Sequence, residues 1–154
     1  MNDPYQTGIE FAQLFGRFEF ALKRAGLLRA KVDAQASWEA YAEKLGPDFF
    51  KLVLDSNIAP TLIALPPRKL MADGLKWLPE NPQPLQNVRD LFLVGVCRVR
   101  NSLMHGEKFT GGLDGWDRDA ALLTEALAVL KLAKGRVEEV EQYLAEHAGK
   151  NETT

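Results

Sequence analysis

The stretch LQNVRDLFLVGVCRVRNSLM, residues 85–104, decides the fold because apolar residues cover more than one side of it. A first line recurs at spacings of three and four, as on one face of an α-helix: Val88, Phe92, Val96, Val99 and Leu103. A second line lies beside it: Arg89, Leu93, Cys97, Arg100 and Met104. A helix that is apolar over so much of its circumference belongs at the centre of a helical domain.

Other segments carry the same helical pattern, and together they predict an all-α fold. We expect a four- to five-helix up-and-down bundle, formed by residues 1–147 as a single domain, with a disordered tail at residues 148–154. The segment DFFKLVLDS, residues 48–56, predicts the additional short helix. The main helices are expected at about Pro4–Ala25, Ala34–Leu45 (capped by Asp33 or Ser37), Leu85–Met104 and Arg118–His147.

Residues 57–84 interrupt the helical pattern between the second and third main helices. They hold six of the eight prolines, so they cannot form one regular helix. Their apolar residues predict an ordered loop that packs on the body of the domain: Leu62, Ile63, Leu65, Leu70, Leu75, Trp77 and Leu78.

Composition limits the possible functions. The 154 residues are 46% hydrophobic and 26% charged, as in an ordinary soluble domain, and the net charge is −2. A nucleic-acid contact would therefore have to be a local basic patch. The N-terminus lacks the pattern of a signal peptide, and no apolar run approaches a membrane span. We therefore expect a cytoplasmic protein without a membrane partner, in which the single cysteine, Cys97, is a small buried hydrophobe.

The polar sequence RNSLMHG, residues 100–106, closes the central helix and is the strongest candidate for a functional site. Burying the Arg100 guanidinium costs several kcal/mol unless it is paired. Its planar fork of donors fits a phosphate, and His105 can hold or release a proton near neutral pH. Asn101 can orient either one. His105 lies about 140° further round an ideal helix, and Gly106 allows the helix end to unwind and bring the two together.

The same residues have structural interpretations. Arg100 could pair with a carboxylate such as Glu19 of the first helix, while His105 bonds a loop carbonyl. The three tryptophans (Trp38, Trp77 and Trp116) could stack on RNA bases, although such residues more often anchor cores and loops. Asp114, Asp117 and Asp119 do not have the spacing of a calcium loop, so we expect no metal and no cofactor.

The sequence VRNSLMHGEKF, residues 99–109, resembles the signature of the HEPN (higher eukaryotes and prokaryotes nucleotide-binding) superfamily. That signature is an arginine, a polar residue and, after a short spacer, a histidine. A bacterial form reading roughly VRNNLFHGGK is matched by Val99, Arg100, Asn101, Leu103, His105, Gly106 and Lys108, while Ser102, Met104 and Glu107 depart from it. FGRFEFALKRAG, residues 15–26, is similar to the opening helix of the family.

The resemblance implies a metal-independent endoribonuclease, in which the ribose 2′-hydroxyl attacks the adjacent phosphate and leaves a 2′,3′-cyclic phosphate. His105 would be the general acid or base, Arg100 would stabilise charge on the phosphate, and Asn101 would position one of them. Arg89, Arg98 and Lys108 are the basic residues near the motif that would bind RNA, and Glu19 would support the site.

The family usually builds its site from two facing motifs, so the resemblance also implies a homodimer. Many relatives act as toxins with an antitoxin partner or in defence against phage. Two alternatives stay open for this chain. It could bind RNA or nucleotides without cleaving them, or it could be a helical protein-interaction module.

Overall fold

The computed structural model describes the backbone of residues 4–104 and 113–152, and within it the side chains of residues 5–103 and 119–145. The protein is 67% helical, which confirms the all-α class. Within these residues, none of the helices has the length and apolar character that a bilayer span requires. The helices are α1 (Pro4–Arg24), α2 (Trp38–Leu45), α3 (Pro47–Ser56), α4 (Pro60–Ala64), α5 (residues 88–104), α6 (Leu113–Ala133) and α7 (Glu138–Glu152); strands β1 (Lys69–Met71) and β2 (Lys76–Leu78) form an antiparallel hairpin.

The apolar stripes predicted from the sequence form the core. In α1, which packs against α6 and α7, every residue of the stripe is buried: Phe11, Leu14, Phe15, Phe18 and Leu22. In α5 the first line is buried at Phe92, Val96 and Val99 and half-buried at Val88 and Leu103. The helical periodicity thus identified the inner faces of these helices correctly.

An aromatic cluster at the centre joins α2, α3 and α5. The Phe92 ring lies 5.7 Å from Trp38, 5.6 Å from Tyr41 and 6.0 Å from Phe49, measured between ring centroids. These separations suit favourable offset and edge-to-face contacts. The Tyr41 hydroxyl donates to the carbonyl of Ala133 at the end of α6 (3.4 Å), and burial raises the pKa of Tyr41 well above its usual range.

Helix α5 is continuous but not uniform. It is α-helical over Val88–Asp90, π-helical over Leu91–Val96 and α-helical again over Cys97–Met104. The Asn87 side chain caps its start by accepting from the Asp90 N–H (2.8 Å). Gly95 lies in the π-helical turn, where a Cβ atom would stand 3.2 Å from Leu85 Cδ1, so glycine permits the close approach of the chain that precedes the helix.

The predicted second helix begins later than expected. Its first residue is Trp38, and Ser37 caps it by accepting from the Ala40 N–H (3.0 Å). Asp33, the other candidate cap, accepts from the Gln35 side chain instead (2.8 Å). Ser37 was therefore the correct choice of the two predicted caps.

The prediction of one long helix at about Arg118–His147 was wrong. Helix α6 ends at Ala133, and α7 begins at Glu138, because Gly135 has a φ of +87° that continues no helix. Arg136 closes the end of α6 by donating from Nε to the Leu132 carbonyl (2.8 Å). Helix α7 continues to Glu152, into the residues for which we expected a disordered tail.

The segment 57–84 is ordered, but it is more than a loop. It contains α4 and the hairpin, neither of which was predicted. Leu62 of α4 is buried, and its N–H donates to Glu125 Oε1 of α6 (2.9 Å). The expected packing is wrong for three apolar residues, which are exposed: Leu65, Leu75 and Leu78.

Replacing Phe92 with alanine should lower the free energy of unfolding by about 3–5 kcal/mol, because a large fully buried ring is lost from the cluster. Val94→Ala on the same helix is the matched control. Its side chain is half-buried, so it should cost about 1 kcal/mol. Urea unfolding followed by circular dichroism measures both. Equal losses would show that the cluster is not the centre of the core.

Candidate nucleic-acid interface

The second line of α5 faces a groove of about 680 Å³, which we call the Arg100 groove. Leu93, Cys97 and Arg100 follow one another at spacings of four and three, so they share one helix face. The facing walls are α1, with Phe15 and Glu19, and the connection between α1 and α2. Leu93, Cys97 and Arg100 are therefore only half-buried, whereas Phe92, Val96 and Val99 of the first line are buried.

Arg100 lies in this groove beside an aromatic ring and the amide of Asn101. Its guanidinium carbon lies 5.5 Å from the centroid of the Phe15 ring, and Nη1 makes a long hydrogen bond to Asn101 Oδ1 (3.4 Å). Among the described residues, Arg100 forms no ion pair. Glu19 Oε2 accepts instead from Trp38 Nε1 (3.3 Å). The expected pairing of Arg100 with Glu19 is therefore wrong, although both residues line the same groove.

Cys97 also lines the groove, near enough to Glu19 and Arg100 for both to affect its thiol. Burial raises the pKa of its thiol to about 12; the nearby Glu19 carboxylate raises it further, and Arg100 opposes the shift. The thiol therefore stays protonated near neutral pH, which excludes it as a nucleophile under those conditions. Cys97 is half-buried, not buried as predicted, while its protonated thiol fits the prediction of a small hydrophobe.

A second cavity of about 440 Å³ lies between the hairpin and α5, and we call it the hairpin cleft. Its lining is Arg68, Lys69, Leu70, Trp77, Arg98, Asn101 and Ser102. Arg98 Nη1 donates to the Pro67 carbonyl (3.4 Å), which ties α5 to the chain that leads into β1. Lys69 and Asn101 also line the Arg100 groove, so the two cavities adjoin at these residues.

The charge of this surface differs from that of the whole protein. The chain carries a net charge of −2, but among the described residues that line the two cavities the only carboxylates are Glu19 and Glu39. Glu39 Oε1 is itself paired with Arg89 Nε at 3.2 Å. The cations that line the two cavities outnumber these carboxylates: Lys23, Arg29, Arg68, Lys69, Arg98 and Arg100. Such a local basic surface can attract a phosphate backbone.

The structure brings together four of the predicted site residues: Arg98, Arg100, Asn101 and Glu19. Arg89 lines neither cavity: it lies about 16 Å before Arg100 along the helix axis, and its Nε pairs with Glu39 at the wall of the groove. His105 and Lys108 lie outside the described residues. No group of three potential metal ligands is found in the part of the chain that the structure describes.

Sequence reasoning missed several cations of this surface. Lys23 and Arg29 come from the end of α1 and the connection after it, and Arg68 and Lys69 come from the chain entering the hairpin. The adjacent Arg68 and Lys69 in LPPRKL could have indicated a basic surface. Their distance from the motif along the chain hid their proximity in space.

The Cys97 thiol should react with iodoacetamide at pH 8 about two to three orders of magnitude more slowly in the native protein than in urea. Its folded pKa of about 12 exceeds the ordinary value of 9.0. The folded state therefore holds the proton more tightly, and stability should fall as pH rises from about 9 toward 12. Cys97→Ala should lose that part of the pH dependence. Native labelling with an apparent pKa near 9 would contradict the burial.

Comparison of the chain with models of protein families, with curated proteins and with solved structures finds no match. The chemistry of the two cavities and the motif at the end of α5 are therefore the basis for assigning a function.

Proposed function

We propose that the protein is a metal-independent endoribonuclease of the HEPN type. It cleaves single-stranded RNA by attack of a ribose 2′-hydroxyl on the adjacent phosphate, which leaves a 2′,3′-cyclic phosphate. The observation that supports the proposal most is Arg100, whose guanidinium lines a groove of about 680 Å³ and has no ion pair among the described residues. An unpaired guanidinium is available for a phosphate.

Each residue of the motif has a separate task in this reaction. The 2′-oxygen forms a bond to phosphorus while the bond from phosphorus to the 5′-oxygen breaks. Arg100 stabilises the charge that develops on the phosphate oxygens. Asn101 orients Arg100 through its Oδ1, which accepts from Nη1 at 3.4 Å. His105, which follows the last described residue of α5 in sequence, removes the proton from the 2′-hydroxyl or supplies one to the leaving 5′-oxygen.

The two proton transfers favour a homodimer. One imidazole cannot accept and donate a proton in the same step, whereas two facing copies of the motif can divide these tasks. The second line of α5 is half-buried in the single chain at Leu93, Cys97 and Arg100. We therefore place this line at or beside the two-fold interface.

RNA binding without cleavage is the second candidate. It is favoured by the cations that line both cavities, since they attract a polyanion whether or not His105 transfers a proton. The two candidates differ in the product of the reaction, so an assay that observes cleavage separates them.

The purified protein should cleave single-stranded RNA in excess EDTA, with products that end in cyclic phosphate. Arg100→Ala and His105→Ala should each lower the rate at least about 100-fold, because they remove charge stabilisation and proton transfer. Lys51→Gln, a charge loss at an exposed residue of α3 away from both cavities, is the control and should keep the wild-type rate. Denaturing gels and circular dichroism measure cleavage and folding.

Cleavage that survives His105→Ala, or that requires Mg²⁺, would contradict the mechanism. Salt-dependent RNA binding with no product in any buffer would favour the second candidate.

Mixing wild type with an Arg100→Ala, His105→Ala double variant tests the shared site. After subunit exchange, activity should follow the square of the wild-type fraction, because only wild-type homodimers hold two complete motifs. Light scattering at micromolar concentration should report a dimer. Activity that is linear in the wild-type fraction, or a protein that stays monomeric, would show that each chain works alone.

A further inference from the structure

The hairpin presents one face to α5 and the other to solvent. Leu70 and Trp77 are directly opposite each other in the β1–β2 register, and both are half-buried. The alternating residues of the two strands are exposed: Lys69, Met71, Lys76 and Leu78. Successive side chains of a strand point to opposite faces, so Leu70 and Trp77 form the hairpin wall of the cleft.

The opposite wall is the face of α5 that carries Arg98, Asn101 and Ser102, at spacings of three and four. The Arg98 bond to the Pro67 carbonyl holds this wall against the entrance of the hairpin. Arg68 and Lys69 also line the cleft at the entrance of the hairpin. No carboxylate is found among the described residues that line it. The cleft therefore combines an aromatic wall with the cationic side chains of Arg68 and Arg98.

We propose that the hairpin cleft is a subsite for one nucleotide of single-stranded RNA, whose base lies against the Trp77 ring and whose phosphate is bound by Arg68. Its volume of about 440 Å³ is in the range of small-ligand sites. An aromatic face next to cations is the usual combination for binding a base and its phosphate. The choice of RNA as ligand rests on the function proposed above.

The position of the cleft gives this nucleotide a place relative to the reaction. Lys69 and Asn101 line both the cleft and the Arg100 groove. A strand with one phosphate at Arg100 can therefore place a neighbouring nucleotide in the cleft. A base that contacts Trp77 must be unstacked and unpaired, so the subsite selects single strands over duplexes.

Binding is measured by fluorescence anisotropy of a labelled eight-nucleotide RNA that is 2′-O-methylated throughout and so cannot be cleaved. Trp77→Ala should weaken binding about 5- to 100-fold, as expected for the loss of one stacked base, and Trp77→Phe should retain most of the affinity. Arg68→Gln should weaken binding and reduce the dependence of the binding constant on salt by about one charge. Lys76→Gln is the control, because it removes the same charge from the exposed face of the same hairpin.

Single abasic nucleotides, placed in turn at each position of the RNA, identify the base that is bound. At one position the abasic RNA should bind wild type more weakly, and Trp77→Ala should cause no further loss with that RNA. This dependence distinguishes a contact between ring and base from general damage to the hairpin.

Wild-type affinity of both Trp77→Ala and Arg68→Gln would overturn the subsite. So would an equal loss in Lys76→Gln and Arg68→Gln, or a Trp77→Ala loss that is the same for every abasic RNA. If Trp77→Ala changes the circular dichroism, that variant is misfolded, and the comparison of Arg68→Gln with Lys76→Gln decides whether the subsite exists. If binding depends on Trp77 but the protein never cleaves RNA, the subsite is supported and the proposed nuclease activity is excluded. If the protein cleaves RNA with no dependence on Trp77 or Arg68, the nuclease activity is supported and the subsite is excluded.

Discussion

The indole of Trp38 makes the contacts on which the site depends. Its ring lies 4.8 Å from Phe15 of α1 and 5.7 Å from Phe92 of α5, so it fixes the separation of the helices that form the Arg100 groove. Its N–H donates to Glu19 Oε2 (3.3 Å). The Glu19 carboxylate thus has the Trp38 N–H as its partner, and the Arg100 guanidinium carbon lies 5.5 Å from the centroid of the Phe15 ring. One aromatic residue thus links the packing of the core to the charge of the groove.

The two lines of α5 have different roles, one in the stability of the core and the other in the candidate site. The first line packs into the core at Phe92, Val96 and Val99, while the second line leaves Cys97 and Arg100 half-buried in the groove. The π-helical turn at Leu91–Val96 stands directly before these groove residues. The i→i+5 hydrogen bonds of a π-helical turn change the direction in which the side chains after it point. Such turns are frequent at functional sites. The turn therefore contributes to the direction in which Cys97 and Arg100 face.

Much of the fold could be predicted because the spacing of apolar residues along a helix identifies the face that is buried. The apolar stripe of α1 is buried in the core, as are Phe92, Val96 and Val99 of α5. The break at Gly135 was missed because apolar spacing continues across it, from Ala133 to Val137, and both are buried. The hairpin was missed because three-residue strands have no recognisable period. Of the site, the motif on one helix could be read from the sequence, whereas Lys23, Arg29 and Lys69 reach Arg100 only through tertiary packing.

The central claim is that RNA lies along the two adjoining cavities with a phosphate at Arg100. A crystal structure of the protein with a short 2′-O-methylated single-stranded RNA tests it most directly. The account predicts a phosphate within hydrogen-bonding distance of the Arg100 guanidinium, with Glu19 still bound to the Trp38 N–H. RNA bound on another surface, with Arg100 paired to a carboxylate, would contradict it.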